Sequence, residues 1–297
     1  PRSSASSAAS IWQTSAISRQ NMSRVRGCSD VHDRLSLICF LPLFFLCYYL
    51  LPARFRNAFL LAGSHGFCLL AILPGLLAVD VAGEFLTNYS ASERESFYFK
   101  TDFHWNPRGA FAASADLAAA MQENGLLDGV VLPAAEDFAW QDLDCPYRGD
   151  LNRRFSYLFS MQEEIPYYSI RETSELQYYD AKDVEVPRES IWARGLQSGE
   201  EMQYNLLSTE NLGFYRICNP NARSARRVLI LKDSMEDPMT DYWAELFSEI
   251  IVIDPRSYLR EESLPELVAE YDIDMALFLY HQNNLSEELI DFLNRGE

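Results

Sequence analysis

The sequence predicts an α/β fold built around a mostly parallel sheet. Hydrophobic residues make up 48% of the 297 positions and aromatic residues 13%, which is enough for a packed core. From residue 227 onward, short apolar runs alternate with helical patterns. This alternation is typical of parallel strands that are connected by helices on both faces of a sheet.

The amino-terminal 80 residues differ from the rest of the chain. Residues 1–21 are rich in Ser and Ala and begin at Pro1, and we expect residues 1–34 to be disordered or non-native. Apolar runs follow at 35–51 and 57–79. Each approaches the roughly 20 residues that cross a bilayer, so residues 35–80 are predicted to form one or two transmembrane helices. A buried helical hairpin is the alternative.

Residues 81–297 are predicted to form the α/β domain. Asn106-Pro107 fits a helix start, because Asn can cap the helix and Pro suits its first turn. Asn124-Gly125 fits the end of that helix. Residues 126–222 are predicted to be irregular with short strands. Beyond them, the predicted strands are 227–231, 249–253 and 275–280, and the predicted helices are 238–247, 264–271 and 286–294.

Acidic side chains dominate the predicted domain. Residues 1–80 hold seven Arg and three Asp, a net charge of +4, so with −18 for the whole chain the rest carries −22. Such a surface repels phosphates, and nucleic acid is not an expected partner. No ligand spacing indicates a metal site and no glycine-rich loop indicates a nucleotide site, so no cofactor is expected.

Ser234 is a candidate nucleophile, because it lies just beyond the predicted strand at 227–231. In an open parallel sheet, ligands bind beyond the carboxyl ends of the strands. The helix that follows could offer backbone N–H groups to an oxyanion. The alternative is an ordinary Ser that caps a helix.

Asp102 and His104 are candidates for a general base and its partner. They lie two positions apart, so on an extended segment both side chains point to one face. A carboxylate beside an imidazole fixes its tautomer and stabilises the imidazolium. The alternative is a structural hydrogen bond near a helix start.

Two further residues are candidates for oxyanion or substrate binding. Asn283 lies beyond the last predicted strand, where its amide could donate to an oxyanion. Asp233 is the immediate neighbour of Ser234. The alternative for Asn283 is a polar residue that closes a strand and leads into a helix cap.

A longer pattern surrounds these residues. The run Tyr98-Phe99-Lys100-Thr101-Asp102-Phe103-His104-Trp105-Asn106 resembles the signature of the DHHW family and of the related alginate O-acetylation proteins with SGNH-like folds. The resemblance continues in Tyr147-Arg148-Gly149-Asp150-Leu151-Asn152 and in Val228-Leu229-Ile230-Leu231-Lys232-Asp233-Ser234, and it spans about residues 85–297. It implies an SGNH-like three-layer sandwich.

The resemblance also implies a catalytic triad. Ser234 would be the nucleophile, His104 the base, and Asp102 the residue that orients His104. Phe103 stands where the signature has its first His. On an extended segment, Phe103 points away from Asp102 and His104, so this departure leaves the triad intact.

Residues 35–65 carry a second resemblance. The run Phe40-Leu41-Pro42-Leu43-Phe44-Phe45 and the residues after it are similar to the amino-terminal start of membrane-bound O-acyltransferases. The rest of that many-helix family is absent from the chain. The resemblance implies a separate acyltransferase of this class as a partner that supplies the acyl group.

Together the resemblances imply serine-dependent acyl transfer, foremost O-acetylation of an extracytoplasmic polysaccharide by a membrane-anchored protein. A carbohydrate esterase with the same triad is one alternative, in which water replaces the sugar. A catalytically silent polysaccharide-binding or assembly subunit is another, because the many Tyr and Trp could stack on sugar rings.

Overall fold

The computed structural model describes residues 59–63, 76–143, 147, 149–158, 163–172, 175–191, 204, 212–281, 284 and 287–295. All of them belong to the second of two compact units, Leu51–Glu297. The predicted disordered segment, residues 1–34, lies outside the described residues. The first apolar run, residues 35–51, lies outside them as well.

The described part of the chain contains both strands and helices. The strands are β1 (Phe59–Gly63), β2 (Leu76–Asp80), β3 (Phe138–Leu143), β4 (Ile165–Ile170), β5 (Gln177–Tyr179), β6 (Glu185–Val186), β7 (Phe214–Cys218), β8 (Ser224–Lys232), β9 (Phe247–Ile253) and β10 (Met275–Leu279). The α-helices are α1 (Val81–Asn88), α2 (Ala91–Ser96), α3 (Pro107–Glu123), α4 (Asp150–Arg154), α5 (Thr240–Leu246), α6 (Leu264–Glu270) and α7 (Glu287–Leu293). Short 3-10 helices cover Ala135–Asp137, Arg188–Ser190 and Asp237–Met239.

Eight of the described strands form one sheet, in the order β2-β1-β10-β8-β9-β7-β5-β6. The first five strands of this order pair in parallel. The last three pair antiparallel, and β3 and β4 form a separate antiparallel pair. The sheet is therefore mixed, and the prediction of a mostly parallel sheet describes only its parallel half. The reason is that the segment predicted to be irregular contributes antiparallel strands.

The order of elements predicted from residue 227 onward is confirmed. β8 and β9 contain the first two predicted strands, and β10 matches the third except that it ends at Leu279, one residue earlier. β9 and β10 are buried along almost their entire lengths. Buried parallel strands are continuous apolar runs, which makes them recognisable in a sequence. The helix predicted at 238–247 is divided into a 3-10 turn, Asp237–Met239, and α5.

Helix α3 begins where the sequence predicts. Asn106 caps it, because its side-chain oxygen accepts hydrogen bonds from the N–H groups of Arg108 (2.9 Å) and Gly109 (3.2 Å). Pro107 occupies the first turn. At Gly109 the helix passes so close to Phe97 that a Cβ would lie 2.4 Å from the Phe97 carbonyl oxygen. The cap and this contact fix the chain directly after the signature segment, residues 98–106.

The prediction of transmembrane helices is wrong for residues 59–63 and 76–80, which form β1 and β2. β1 pairs with β10, and β2 pairs with β1. A short apolar run fits a buried parallel strand as well as a helix, and the available pairing partner decides between them. Among the described residues, no helix is long and apolar enough to cross a membrane. The other residues of the 35–80 segment lie outside the described part.

We expect Gly109→Ala to lower the free energy of unfolding by about 1–3 kcal/mol, because the new Cβ forces the backbone at Phe97 to move. Gly83→Ala in α1 is the matched control, since its Cβ meets only the Asp80 side chain, which can rotate. This control is expected to be neutral or to stabilise the helix by up to about 1 kcal/mol. Urea denaturation measures both, and equal effects would contradict the close approach at Gly109.

Candidate active site

Ser234 lies in the turn that follows β8. The N–H of Asp233 donates to the carbonyl of Leu279 (3.2 Å), the last residue of β10. The turn therefore stands at the carboxyl ends of two neighbouring parallel strands. This is the sheet edge at which open α/β folds bind ligands, and Ser234 is only partly buried there.

The side chain of Asp233 ties this turn to the chain beyond β10. Its buried carboxylate accepts hydrogen bonds from the N–H of Met235 (2.9 Å), the N–H of His281 (2.6 Å) and Nδ2 of Asn284 (2.9 Å). These contacts give Asp233 a structural role. A direct role of Asp233 in oxyanion or substrate binding stays a prediction, and Asn283 lies outside the described residues.

Ser234, His104 and Asp102 form a continuous chain of hydrogen bonds. His104 Nε2 lies 2.8 Å from Ser234 Oγ, and His104 Nδ1 lies 2.6 Å from Asp102 Oδ1. Because a carboxylate only accepts, we assign the ring proton to Nδ1, which leaves Nε2 to accept from the Ser234 hydroxyl. The fold thus brings together the three residues that the sequence predicts as a catalytic triad.

The carboxylate of Asp102 joins three stretches of chain. Besides His104, it accepts hydrogen bonds from the hydroxyl of Tyr147 (2.8 Å) and the N–H of Asp150 (2.7 Å). Burial raises the pKa of Asp102, but the hydrogen bonds from His104, Asp150 and Tyr147 outweigh burial and hold that pKa below its ordinary value. Asp102 is therefore an ionised acceptor that fixes the orientation of the His104 ring.

The segment that carries Asp102 and His104 is bent, whereas the sequence analysis assumed an extended chain. Asp102 Oδ1 accepts from the N–H of His104 two positions on (3.1 Å), which is an Asx-turn contact. This local turn puts both side chains on the inner side. Phe103 is 41% exposed, whereas Asp102 and His104 are each 5% exposed. The prediction that Phe103 points away from His104 is wrong, because the bend brings the centroid of the Phe103 ring to 4.0 Å from that of the imidazole. The hydrogen bonds that join Asp102, His104 and Ser234 are present beside this ring.

Thr101 anchors the start of this bend. Its N–H donates to the carboxylate of Glu163 (2.7 Å), and its hydroxyl donates to the same carboxylate. The N–H of Gly149 donates to Thr101 Oγ1 (3.0 Å). A Cβ at position 149 would lie 2.3 Å from the Thr101 carbonyl oxygen, so only Gly allows this approach.

Trp105 connects the bend directly to the nucleophile turn. Its buried Nε1 donates to the carbonyl of Met235 (2.8 Å). Trp105 follows His104, and Met235 follows Ser234. The hydrogen bond between the two neighbours therefore holds the His104 imidazole and the Ser234 hydroxyl at contact distance.

A buried ionic cluster lies next to the Ser234 turn. Lys232 forms an ion pair with Asp237, and both side chains are fully buried. Thr240 donates to Glu236 Oε1 (3.1 Å), and burial raises the pKa of Glu236 to about 8. Removing one partner of such a pair leaves an uncompensated buried charge, so the cluster fixes the turn. Within the described part of the chain, no three His, Cys, Asp or Glu residues form a group that could hold a metal ion.

The three residues predicted as a triad lie in hydrogen-bond contact, whereas the residues that support them were not predicted. Tyr147, Gly149 and Asp150 belong to a segment that carries the family resemblance, and that resemblance was the signal that could have found them. No pattern in the sequence marked Tyr204 as a residue of the site. Its ring stacks on His104 with centroids 3.7 Å apart, although it comes from a region without a recognisable motif.

Comparison with known families agrees with the predicted resemblance. Residues 74–185 match the family model described as an SGNH hydrolase-like domain, acetyltransferase AlgX. The match includes Asp102 and His104, and it confirms the resemblance drawn from the signature segment. Nothing in the comparisons supports the resemblance of residues 35–65 to membrane-bound O-acyltransferases. No curated protein is recognisably similar to the chain in sequence.

Solved structures share the fold. PatB1 from Bacillus cereus is 19% identical with a TM-score of 0.69, over 89% of this chain and 94% of that chain. PatB1 has also been solved with a sulfonyl adduct, with a TM-score of 0.68 at 19% identity over 87% of this chain and 91% of that chain. A DHHW family protein from Eubacterium siraeum is 17% identical with a TM-score of 0.56, over 79% and 81% of the two chains. The chain therefore has a mixed α/β SGNH-like fold, and the three-layer arrangement stays a prediction.

The raised pKa of Glu236 predicts that the stability of the fold depends on pH. Its pKa of about 8 in the fold lies above the ordinary value of 4.5, so between these values the folded protein holds a proton that the unfolded chain has released. Stability from this group is complete below pH 4.5 and falls as the pH rises through about 8. We expect Glu236→Gln to reduce the fall of Tm between pH 5 and 9, as measured by calorimetry.

Glu95→Gln, at an exposed position of α2, is the control for the loss of one carboxylate. It should leave the slope of Tm against pH as in the wild type. A Glu236→Gln curve that runs parallel to the wild-type curve would show that Glu236 does not hold this proton.

Proposed function

We propose that the chain is a serine-dependent O-acetyltransferase that acts on an extracytoplasmic polysaccharide. The observation that carries the proposal is the hydrogen-bonded chain from Ser234 Oγ through His104 to Asp102, with distances of 2.8 and 2.6 Å. The match of residues 74–185 to a domain described as an acetyltransferase supports acetyl as the transferred group. The resemblance of the signature segment supports a polysaccharide as the acceptor.

In the first half-reaction, Ser234 Oγ attacks the carbonyl carbon of the acetyl donor. His104 Nε2 takes the hydroxyl proton, and Asp102 stabilises the imidazolium that forms. The donor's leaving group then departs with that proton, and the acetyl group remains on Ser234. In the described part of the chain, the N–H of Ser234 has no acceptor, so it can donate to the oxyanion.

In the second half-reaction, a sugar hydroxyl attacks the acetyl-serine. His104 Nε2 takes the proton of this hydroxyl and returns it to Ser234 Oγ as the ester bond breaks. The products are the acetylated sugar and the free serine. Water in place of the sugar gives acetate, so a carbohydrate esterase would use the same residues and differ only in the acceptor.

The location of the reaction, the source of its acetyl group and the attachment to a membrane stay predictions. A net charge of −22 beyond residue 80 is compatible with work outside the cytoplasm. A membrane-bound O-acyltransferase as the source of the acetyl group is an expectation from the sequence alone. Attachment of the protein to a membrane is likewise an expectation from the sequence alone.

The decisive measurement is acetyl transfer from a chromogenic acetyl ester to oligosaccharides. We expect Ser234→Ala to lower the rate at least about a thousandfold, because it removes the hydroxyl that His104 Nε2 contacts. Ser257→Ala, which changes an exposed serine, is the matched control and should keep the wild-type rate. Mass spectrometry detects the acetylated sugar and the acetylated protein.

Three outcomes separate the functions. Equal rates for wild type and Ser234→Ala contradict a serine mechanism. A rate that depends on Ser234 but releases only acetate, whatever sugar is added, identifies an esterase. A wild-type protein that neither reacts with the ester nor takes a sulfonyl fluoride label on Ser234 is instead a silent binding or assembly subunit.

A further inference from the structure

We propose that Phe103 and Tyr204 form an aromatic clamp that positions the imidazole of His104, an inference that rests on the proposed function. The Tyr204 ring stacks on the imidazole with centroids 3.7 Å apart and planes 11° apart. The Phe103 ring lies with its centroid 4.0 Å from that of the imidazole at 32°. Neither residue belongs to the hydrogen-bonded chain of the triad.

The two rings hold opposite faces of the imidazole. Two aromatic rings centred within 4.0 Å of the same imidazole cannot share one face without overlapping. Their exposure agrees with this arrangement, since Tyr204 is 7% exposed and Phe103 is 41% exposed. Tyr204 therefore forms the inner wall of the clamp and Phe103 its outer wall.

The clamp supplies a restraint that the hydrogen bonds lack. His104 bonds to Asp102 through Nδ1 and to Ser234 through Nε2, which lie at opposite ends of the ring. Rotation of the ring about the line through Nδ1 and Nε2 keeps both nitrogen–oxygen distances, but it tilts the plane of the ring and, with it, the lone pair of Nε2. Packing on both faces opposes this rotation, and accurate orientation of a base is a large part of its efficiency.

The clamp also suits the charge that forms during the reaction. When His104 takes the serine proton, a cation appears between two aromatic faces, which attract it. Tyr204 stays neutral, because burial, reinforced by the negative charge of Asp237, raises the pKa of its hydroxyl well above the ordinary value. Its ring therefore acts as a face and brings no charge of its own.

This geometry gives Phe103 a role as the outer wall of the clamp. The resembled signature has a His at this position, and here a Phe occupies it. Both side chains are flat rings, and an outer wall needs a flat ring and no proton transfer. Arg154 covers the Phe103 ring at 5.6 Å and steadies it from outside.

The test uses a conservative and a disruptive change at each wall. We expect Tyr204→Leu to lower kcat for the acetyl ester about tenfold to a hundredfold with little change in KM, and Tyr204→Phe to restore most of that loss. Phe103→Ala should lower kcat about fivefold and Phe103→His should recover it. Because Phe103 is exposed, Phe103→Ala is expected to fold even if Tyr204→Leu does not.

A double-mutant cycle separates positioning from general damage. In a His104→Ala background, Tyr204→Leu should change the residual rate less than about twofold, because the clamp acts only through the imidazole. Tyr271→Leu is the matched control, since Tyr271 is also 7% exposed and its hydroxyl contacts Asp183 and Arg260. It should change stability without coupling to His104.

Equal losses from Tyr204→Leu with and without His104 would overturn the clamp. So would a Tyr204→Phe variant as slow as Tyr204→Leu, or a Phe103→Ala variant as fast as the wild type. Each of these results leaves Ser234 dependence untouched. If Ser234→Ala keeps the wild-type rate, the proposed function fails instead.

Discussion

The site depends on the hydrogen bonds that the buried carboxylate of Asp102 accepts. This carboxylate accepts hydrogen bonds from His104, from the Tyr147 hydroxyl and from the N–H of Asp150, so one side chain holds together chain segments that are far apart in the sequence. A buried carboxylate without these donors would carry a large desolvation cost. The same contacts that stabilise the charge therefore fix the imidazole, so one set of hydrogen bonds serves both the fold and the candidate site.

Ser234, the proposed nucleophile, is held by a different kind of constraint. Ser234 follows β8 at the point where β10 ends beside it, and Asp233 and the Lys232–Asp237 pair fix the turn with buried polar contacts. The Trp105 indole then joins this turn to the segment of the base. The hydrogen bond of Trp105 to Met235 thus lies beside that of His104 to Ser234, and it helps to hold a serine and a histidine 130 positions apart at a distance of 2.8 Å.

Short strands are the elements whose structure the sequence pattern leaves open. Residues 59–63 and 76–80 are short apolar runs, and such runs suit a membrane helix or a buried strand equally until a neighbouring strand is known. The antiparallel half of the sheet was missed for a similar reason. β5 and β6 have only three and two residues, too few to show an alternating pattern, and they are strands because β7 pairs beside them.

The sequence by itself determined the residue types of the candidate site, the cap that starts α3 and the order of the last three strands, because these depend on local pattern. The family resemblance drawn from the sequence also covers Asp102, His104 and Ser234. Only the tertiary structure decided that the three touch, and that Tyr204 stacks on the imidazole. Such contacts depend on distances between segments remote in sequence, which no local pattern encodes.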